Sequence, residues 1–282
     1  MLRIREMRVE DIPFAIRLTK PEGWGIPAAD FHRILNLDPH GSFLATEGHR
    51  RIGLTTSTHY GKKIAWIGNV VVDRKYRGRH VGQKLVEHAV NYLSRGRLQH
   101  IALYSFEENY RFYRNLGFVQ GAGFVRMRRE PERPSRIFTI ETSKPLMLSS
   151  LLAMDKKAFG ADRRRLISAL LSGSSAWYFG YTTPSTESYV VVKRYRDMNE
   201  VGPWVSFGLG SRELDLLLQF IISRSGRKPI EIGCPTSNTR VLRVMKKHHF
   251  RVINEGRVLF YKRKARLGQP GTIIAQGFLD KG

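Results

Sequence analysis

The chain has 282 residues, 41% of them hydrophobic, which is typical of a water-soluble globular protein of one large or two ordinary domains. It carries 48 Lys and Arg against 24 Asp and Glu, and its single cysteine, Cys234, excludes an internal disulfide framework. No segment reaches the roughly 18 apolar residues of a membrane span, and the first residues lack the apolar core of a signal peptide. A soluble, cytoplasmic protein without a membrane partner is predicted.

Residues 1–133 read as one α/β unit in which strands and helices follow each other in short stretches. Strands are predicted at 4–7, 42–47, 52–60, 63–72, 100–104 and 119–128, and helices at 9–18, 28–35 and 108–116. A further helix contains Leu85, Val86, Ala89, Val90 and Leu93, which share one face at 3.6-residue spacing. This helix directly follows the turn between residues 73 and 80.

That turn is the most informative stretch of the chain. The apolar strand ending in Val70, Val71 and Val72 breaks into a basic turn with Gly78, and the next helix begins near Gly82. The first amides of a helix lack partners and carry partial positive charge, and glycine has no Cβ to block a close approach. The pattern therefore favours a pyrophosphate bound at a helix N-terminus. A plain basic loop is the alternative.

After a charged, proline-containing linker at 129–134, the pattern restarts. A strand at 136–142, a helix at 146–158 and strands near 176–181, 188–194 and 201–207 are predicted. Residues 238–250 match 106–118 at a constant offset, which indicates an internal duplication. The second copy has Met245 in place of Tyr113 and His249 in place of Gly117, and its Gly-Leu-Gly turn is shorter. It is predicted to be non-catalytic.

The order strand, Asp-x-x-Tyr-Arg-Gly-x-x-Val-Gly, helix, strand, Phe-Tyr-x-x-Leu-Gly-Phe resembles the GNAT acetyltransferase superfamily. Gly23-Trp24 and Asp38-Pro39-x-Gly41, and in the second half Asp155 and the 159–163 stretch, resemble two-domain YitH-like members. The resemblance implies two tandem GNAT-like α/β domains, each a mixed, mainly antiparallel twisted sheet flanked by helices. We expect a catalytic domain at 1–133 and a degenerate GNAT-like domain at 134–282.

The resemblance also implies acetyl-CoA as cosubstrate. Backbone groups of the strand end would pair with the pantetheine arm, and loop amides would hold the pyrophosphate. The implied cofactor-binding residues are Val70, Val71, Val72, Arg77, Gly78, Arg79, His80, Val81, Gly82 and Gln83. His80 departs from the family, which has glycine there, and Phe106 stands where members often have an asparagine that contacts the cofactor.

Tyr113 is the candidate general acid, because a phenol with a pKa near 10 can protonate a departing thiolate. A core or surface aromatic is the alternative. The base is left open among a water chain, His32 and the carboxylates of Glu107 and Glu108. Trp24 either lines the acceptor pocket or fills the core. No metal site is predicted, since Cys234 stands alone and the two histidines at 248 and 249 are adjacent.

The predicted function is acetyl-CoA-dependent N-acetylation of a small-molecule or peptide amine by direct attack on the thioester. One alternative is a non-catalytic acyl-CoA-binding sensor. The net charge of +24 attracts polyanions, so the other alternative is an acceptor bound to RNA or the ribosome. A solvated basic surface without a nucleic-acid partner is the preferred interpretation of the charge. The acceptor's identity, the acyl length preference and the oligomeric state are not specified by the sequence.

Overall fold

The structure is a computed structural model that describes residues 1–132, 138–140, 146–277 and 281–282. Two compact units are present, and each contains segments from both halves of the chain. The N-terminal unit comprises Met1–Gly121, Val258–Ala265 and Leu279–Gly282, and the C-terminal unit comprises Ala122–Arg257 and Arg266–Phe278. The predicted boundary between 133 and 134 lies outside the described residues and stays a prediction.

The N-terminal half contains six strands and four helices. They are β1 (Leu2–Glu6), α1 (Ile12–Thr19), α2 (Ala28–Leu37), β2 (Phe43–Glu47), β3 (Arg50–Tyr60), β4 (Ile64–Val72), α3 (Val81–Arg95), β5 (His100–Phe106), α4 (Tyr110–Asn115) and β6 (Phe118–Arg129). Each strand predicted in this half is found within two residues of its expected start. The amphipathic helix over the apolar face Leu85–Leu93 is also found, as α3.

The second half again alternates helices with strands. It contains α5 (Leu148–Phe159), α6 (Arg164–Leu171), β7 (Ala176–Thr182), β8 (Glu187–Arg194), β9 (Asn199–Phe207), α7 (Ser211–Arg224), β10 (Ile230–Pro235), α8 (Thr239–Lys247), β11 (Arg251–Tyr261) and β12 (Ile273–Ala275). The strand predicted at 136–142 falls mostly outside the described residues, and its described part, 138–140, is not a strand.

In the N-terminal unit the strand order is β1-β2-β3-β4-β5, then the end of β11, then the start of β6. The first four strands are antiparallel neighbours, whereas β4 and β5 run parallel. One apolar cluster packs α3 and α4 against the sheet, and a second packs α1 and α2. The mixed, mainly antiparallel sheet flanked by helices is therefore confirmed.

The C-terminal unit repeats this architecture with β7, β8, β9 and β10. β8 pairs antiparallel with both β7 and β9, β9 pairs parallel with β10, and β10 pairs antiparallel with β6. The predicted Asp155 motif has a structural role here. Its carboxylate accepts hydrogen bonds from the Arg163 guanidinium (2.6 and 3.1 Å) and the Tyr189 hydroxyl (2.5 Å), and all three residues are buried. The motif ties α5 to the start of α6 and to β8.

Candidate acyl-CoA site in the N-terminal unit

The turn between β4 and α3 has a backbone shape that exposes amides. The Asp73 side chain caps the turn by accepting from the Lys75 amide at 3.0 Å, and Gly78 has a φ of +77°. The first intrahelical bond of α3 runs from the Lys84 amide to the His80 carbonyl at 3.1 Å. The amides of residues 81–83 precede that bond and lie at the positive end of a 15-residue helix.

His80 preserves the backbone conformation that favours glycine at its position. Its φ is +58°, in the left-handed region, which histidine enters more readily than most residues do. Its Nδ1 lies 3.1 Å from the Gln83 Oε1, so the side chain folds back over the helix start. The departure from the family pattern therefore leaves the shape of the turn intact.

The arginines around the turn are held in place by neighbouring groups. The Arg77 guanidinium donates to the Val72 carbonyl at 3.0 Å and to the Glu22 carboxylate at 2.7 Å. Arg79 lies over the Tyr76 ring at 5.3 Å. Both arginines are exposed, so they add positive potential near the helix start while their positions are constrained. The contact with Glu22, 55 residues away in sequence, could not be read from the turn itself.

Near the turn, β4 extends beyond the part of its edge that pairs with β5. β3 pairs with β4 from Ile64 to Val72, but β5 pairs with the opposite edge only from Ile64 to Trp66. Past that point the pairing of β4 with β5 ends, although β4 continues for six residues. This stretch of β4 is therefore a place where an extended ligand can pair with strand backbone.

A β-bulge lies at the point where the two strands part. Between the pairs Leu54–Val71 and Thr56–Gly68, one residue of β3 faces two of β4, and the first of these two, Asn69, adopts a φ of +51°. The Asn69 amide donates to the Thr56 hydroxyl at 3.0 Å. Bulges re-aim side chains next to sites, and this bulge lies in the stretch of β4 that no longer pairs with β5.

Tyr113 belongs to the apolar cluster that also contains residues of β4 and α3, the two elements joined by the turn. It is 9% exposed and stacks edge-on against Phe112 and Phe118. A Cβ added to Gly82 would lie 3.6 Å from both Phe112 and Val72, so α4, the start of α3 and the end of β4 converge. Burial raises the pKa of Tyr113, which keeps its phenol protonated at neutral pH. The hydroxyl makes no hydrogen bond within the described residues.

The remaining candidates are distributed around this cluster. Val70 and Val72 pack partly buried against it, and Val71 is buried in the cluster under α1 and α2. Trp24 is half-buried against that second cluster, which favours its core-filling role. His32 is exposed on α2, and the carboxylates at 107 and 108 are exposed in the turn before α4.

Basic residues cluster at 126–129, 163–165 and 246–247, and several of them form internal ion pairs. Glu231 pairs with Arg126 and, at 3.1 Å, with Arg128, while Asp155 pairs with Arg163. Further pairs join Arg129 to Glu132, Arg164 to Asp162 and Lys247 to Asp215. Much of the positive charge at these runs is therefore compensated locally. Nucleic-acid binding stays a prediction from the net charge.

Comparisons with known proteins agree with this geometry. A model of the acetyltransferase (GNAT) family matches residues 9–118, and a second model, of an acetyltransferase (GNAT) domain, matches residues 151–275. Together they span most of the chain. It belongs to the GNAT acetyltransferase family. The tandem GNAT organisation expected from the sequence is thereby confirmed, and a search of curated proteins returns no match.

Solved structures share the fold over the whole chain. A candidate acetyltransferase from Pyrococcus horikoshii superposes with a TM-score of 0.79 at 22% identity, covering 100% of this GNAT chain and 96% of its own. A GCN5-related N-acetyltransferase from Sphaerobacter thermophilus gives 0.61 at 14% identity, with 98% and 97% covered. One from Anabaena variabilis gives 0.57 at 14%, with 92% and 72% covered. At these low identities, the TM-scores establish the shared fold alone.

Two further findings concern the described residues only. Their helices include none that is long and apolar enough to cross a bilayer. Among those same residues, no group of three His, Cys, Asp or Glu side chains could hold a metal ion.

Proposed function

We propose that the N-terminal unit binds acetyl-CoA and catalyses transfer of its acetyl group to an amine. The observation that supports this most strongly is the parting of β4 from β5 directly beside a left-handed turn and a helix start, with Tyr113 in the same cluster. The GNAT family membership supports acyl transfer in general. The assignment to an amine acceptor is the further step.

The residues present fit the two chemically different parts of the cosubstrate. The amides of Val81, Gly82 and Gln83, with Arg77 and Arg79 nearby, suit a pyrophosphate. Residues 70–72 of β4 offer backbone donors and acceptors to the two amides of a pantetheine arm. When bound, acetyl-CoA would supply an acyl group activated as a thioester. Holding it in line with the acceptor could lower the barrier by about 7–11 kcal/mol.

Tyr113 is proposed as the proton donor to the leaving thiolate. It is protonated at neutral pH because burial raises its pKa, and its hydroxyl has no competing partner in the described structure. A thiol has a pKa near 8.5, so the departing thiolate takes up a proton at neutral pH, and the phenol is the proposed source of that proton. The α4 helix holds the phenol between Phe112 and Phe118, which restricts its orientation.

The acceptor amine must lose a proton before it can attack, since free amines have a pKa near 10. Asn69 has no basic group, but its position at the bulge suits it to hold a water molecule or the acceptor by hydrogen bonding. Thr56, its hydrogen-bond partner, lies on the same stretch of sheet. We assign a positioning role to Asn69 and no residue as the base.

The test is thiol release from acetyl-CoA by the full-length protein, measured with a panel of small amines and peptides. Turnover with at least one amine is expected, and Tyr113→Phe should reduce it while CoA binding, measured by calorimetry, is retained. Tight CoA binding without turnover on any amine would instead support the sensor. RNA binding that weakens steeply with salt would support the RNA-bound acceptor, and its absence at low salt would exclude it.

A further inference from the structure

The strand β12 occupies the C-terminal unit's counterpart of the open β4 edge. β8 pairs with one edge of β9 along its whole length, from Asn199 to Phe207. β10 pairs with the other edge only from Asn199 to Val201. Beyond that point β12 pairs antiparallel with Trp204 and Val205 of β9. Since the first edge is taken by β8, β12 must lie where β9 and β10 part.

Hydrogen bonds anchor this short strand and the residues after it on both sides. The Gln276 amide donates to the Gly233 carbonyl of β10 at 2.8 Å. The Asn238 side-chain amide, at the start of α8, donates to the Ile273 carbonyl at 3.4 Å. The Lys193 ammonium, buried on β8, donates to the Gly277 carbonyl at 2.6 Å.

The backbone of β9 is shaped for this close approach. β9 also has a bulge, because Val190 and Val192 of β8 face Trp204 and Val201. At that bulge Gly202 has a φ of +140°, and a Cβ there would lie 2.1 Å from the Gln276 carbonyl oxygen. Any other residue at 202 would therefore push the segment out of the gap.

The occupying strand is integrated into the core of its unit. Ile274 and Ala275 are each 1% exposed and belong to the apolar cluster that includes Trp204 and Ile232. Burying an isoleucine side chain favours the buried state by roughly tenfold or more at equilibrium. Displacing β12 would expose these side chains and break the hydrogen bonds that Gly233, Asn238 and Lys193 make with residues 273–277.

We infer that β12 is a permanent internal occupant of the C-terminal cleft and closes it to any pantetheine-like ligand. The main chain of 273–277 supplies the extended, amide-rich segment that pairs with the strand edge. The C-terminal unit is thus inactive because its binding groove is filled, in addition to lacking the tyrosine that Met245 replaces. One CoA per chain follows, and only this stoichiometric consequence rests on the proposed function of the N-terminal unit.

Hydrogen–deuterium exchange on the full-length protein, with and without saturating CoA, tests this inference. Amides 273–277 should exchange as slowly as those of β9 in the free protein, and CoA should leave them unchanged. Exchange at 273–277 as fast as in an unstructured chain, faster exchange there on adding CoA, or calorimetry showing two CoA per chain would overturn it. If CoA changes exchange nowhere in 70–83, the proposed function fails, whereas slow exchange at 273–277 would still support an internal occupant.

One substitution tests the hydrogen bond from Asn238 to Ile273 separately from the others. Asn238→Asp keeps the oxygen that accepts from the Val241 amide and caps α8, but it removes the amide that donates to Ile273. Exchange at 273–277 should become roughly threefold to tenfold faster, as expected for the loss of one hydrogen bond. Asn109→Asp, at the matching start of α4, is the control and should leave 273–277 unaffected. Equal exchange in Asn238→Asp and the wild type would show that this bond does not hold the strand.

Discussion

In both units two neighbouring parallel strands stop pairing part-way along their length, but the units differ in what lies in the gap between those strands. In the N-terminal unit β4 extends past its pairing with β5 and ends at a left-handed turn beside Tyr113. In the C-terminal unit the matching gap between β9 and β10 contains β12, and Met245 lies on α8 where Tyr113 lies on α4. A fold can therefore be retained while its groove is reassigned from binding a ligand to packing its own chain.

The largest expected effect separates the two units by activity. Tyr113→Phe removes the proposed proton donor and should lower the rate of thiol release by about 10²–10⁴. Met245→Leu is the matched substitution in the C-terminal unit, and it should leave the rate unchanged because it conserves volume in a buried site. Steady-state kinetics with thermal melts of both variants measures this. A comparable loss of rate in both would break the assignment of activity to one unit.

A second effect concerns the stability of the C-terminal unit. Asp155→Asn removes the carboxylate charge that pairs with the buried Arg163 guanidinium and should cost about 3–5 kcal/mol of unfolding free energy. Urea unfolding measures the cost. If the units act as argued, molecules of the variant that remain folded should keep their rate of acetyl transfer. A loss below 1 kcal/mol would show that the ion pair is dispensable.

A third effect is a pH dependence in the N-terminal unit. Burial alone would raise the pKa of Asp11, but hydrogen bonds from Arg5, the Arg8 amide and Arg51 outweigh it and lower the pKa from 3.8 to about 2. Because the folded pKa is depressed, this stabilisation is present above pH 4 and is lost as the pH falls towards 2.

The loss should be about 2 kcal/mol between these pH values. The unfolding free energy of the wild type and of Asp11→Asn, measured across that range, gives it by difference. Parallel pH profiles for the two proteins would contradict the lowered pKa.

The smallest effect compares two histidines in the left-handed region. His80 has a φ of +58° and His249 a φ of +63°. Gly117, the N-terminal counterpart of His249, has a φ of +85°. His80→Gly and His249→Gly should each relieve backbone strain and add about 1 kcal/mol of stability. Only His80→Gly should also change CoA affinity, since His249 lies outside the proposed site. Calorimetry and thermal melts distinguish the two outcomes.

Local sequence patterns predict much of the secondary structure of the N-terminal unit. The face formed by Leu85 and its neighbours predicts α3 because helical periodicity is a local signal, and the basic turn predicts the helix start. The sequence does not predict that β5 stops pairing with β4 after Trp66, because strand pairing depends on contacts between distant residues. Likewise Glu22 reaches Arg77 across 55 positions, and no local pattern signals such a pair.

The second half was less readable for a related reason. Residues 273–275 form a short apolar run after Pro270-Gly271, a weak strand signal in a region that the repeat did not cover. This segment pairs with β9, and that edge of β9 is open to it only because β10 pairs with β9 no further than Val201. The Asp155 motif was recognised by resemblance, but its pairing with Arg163 and Tyr189 depends on the packing of α5 against β8.

The assignment of Val258–Ala265 to the N-terminal unit has a consequence for how the protein is made. The end of β11 lies between β5 and β6 in that unit's sheet, and it is translated only after the whole first half of this sequence. A nascent chain with the first half alone would have two strand edges without a neighbour, which invites self-association. The site should therefore mature only after β11 has been synthesised, and chaperone capture of the growing polypeptide is expected until then.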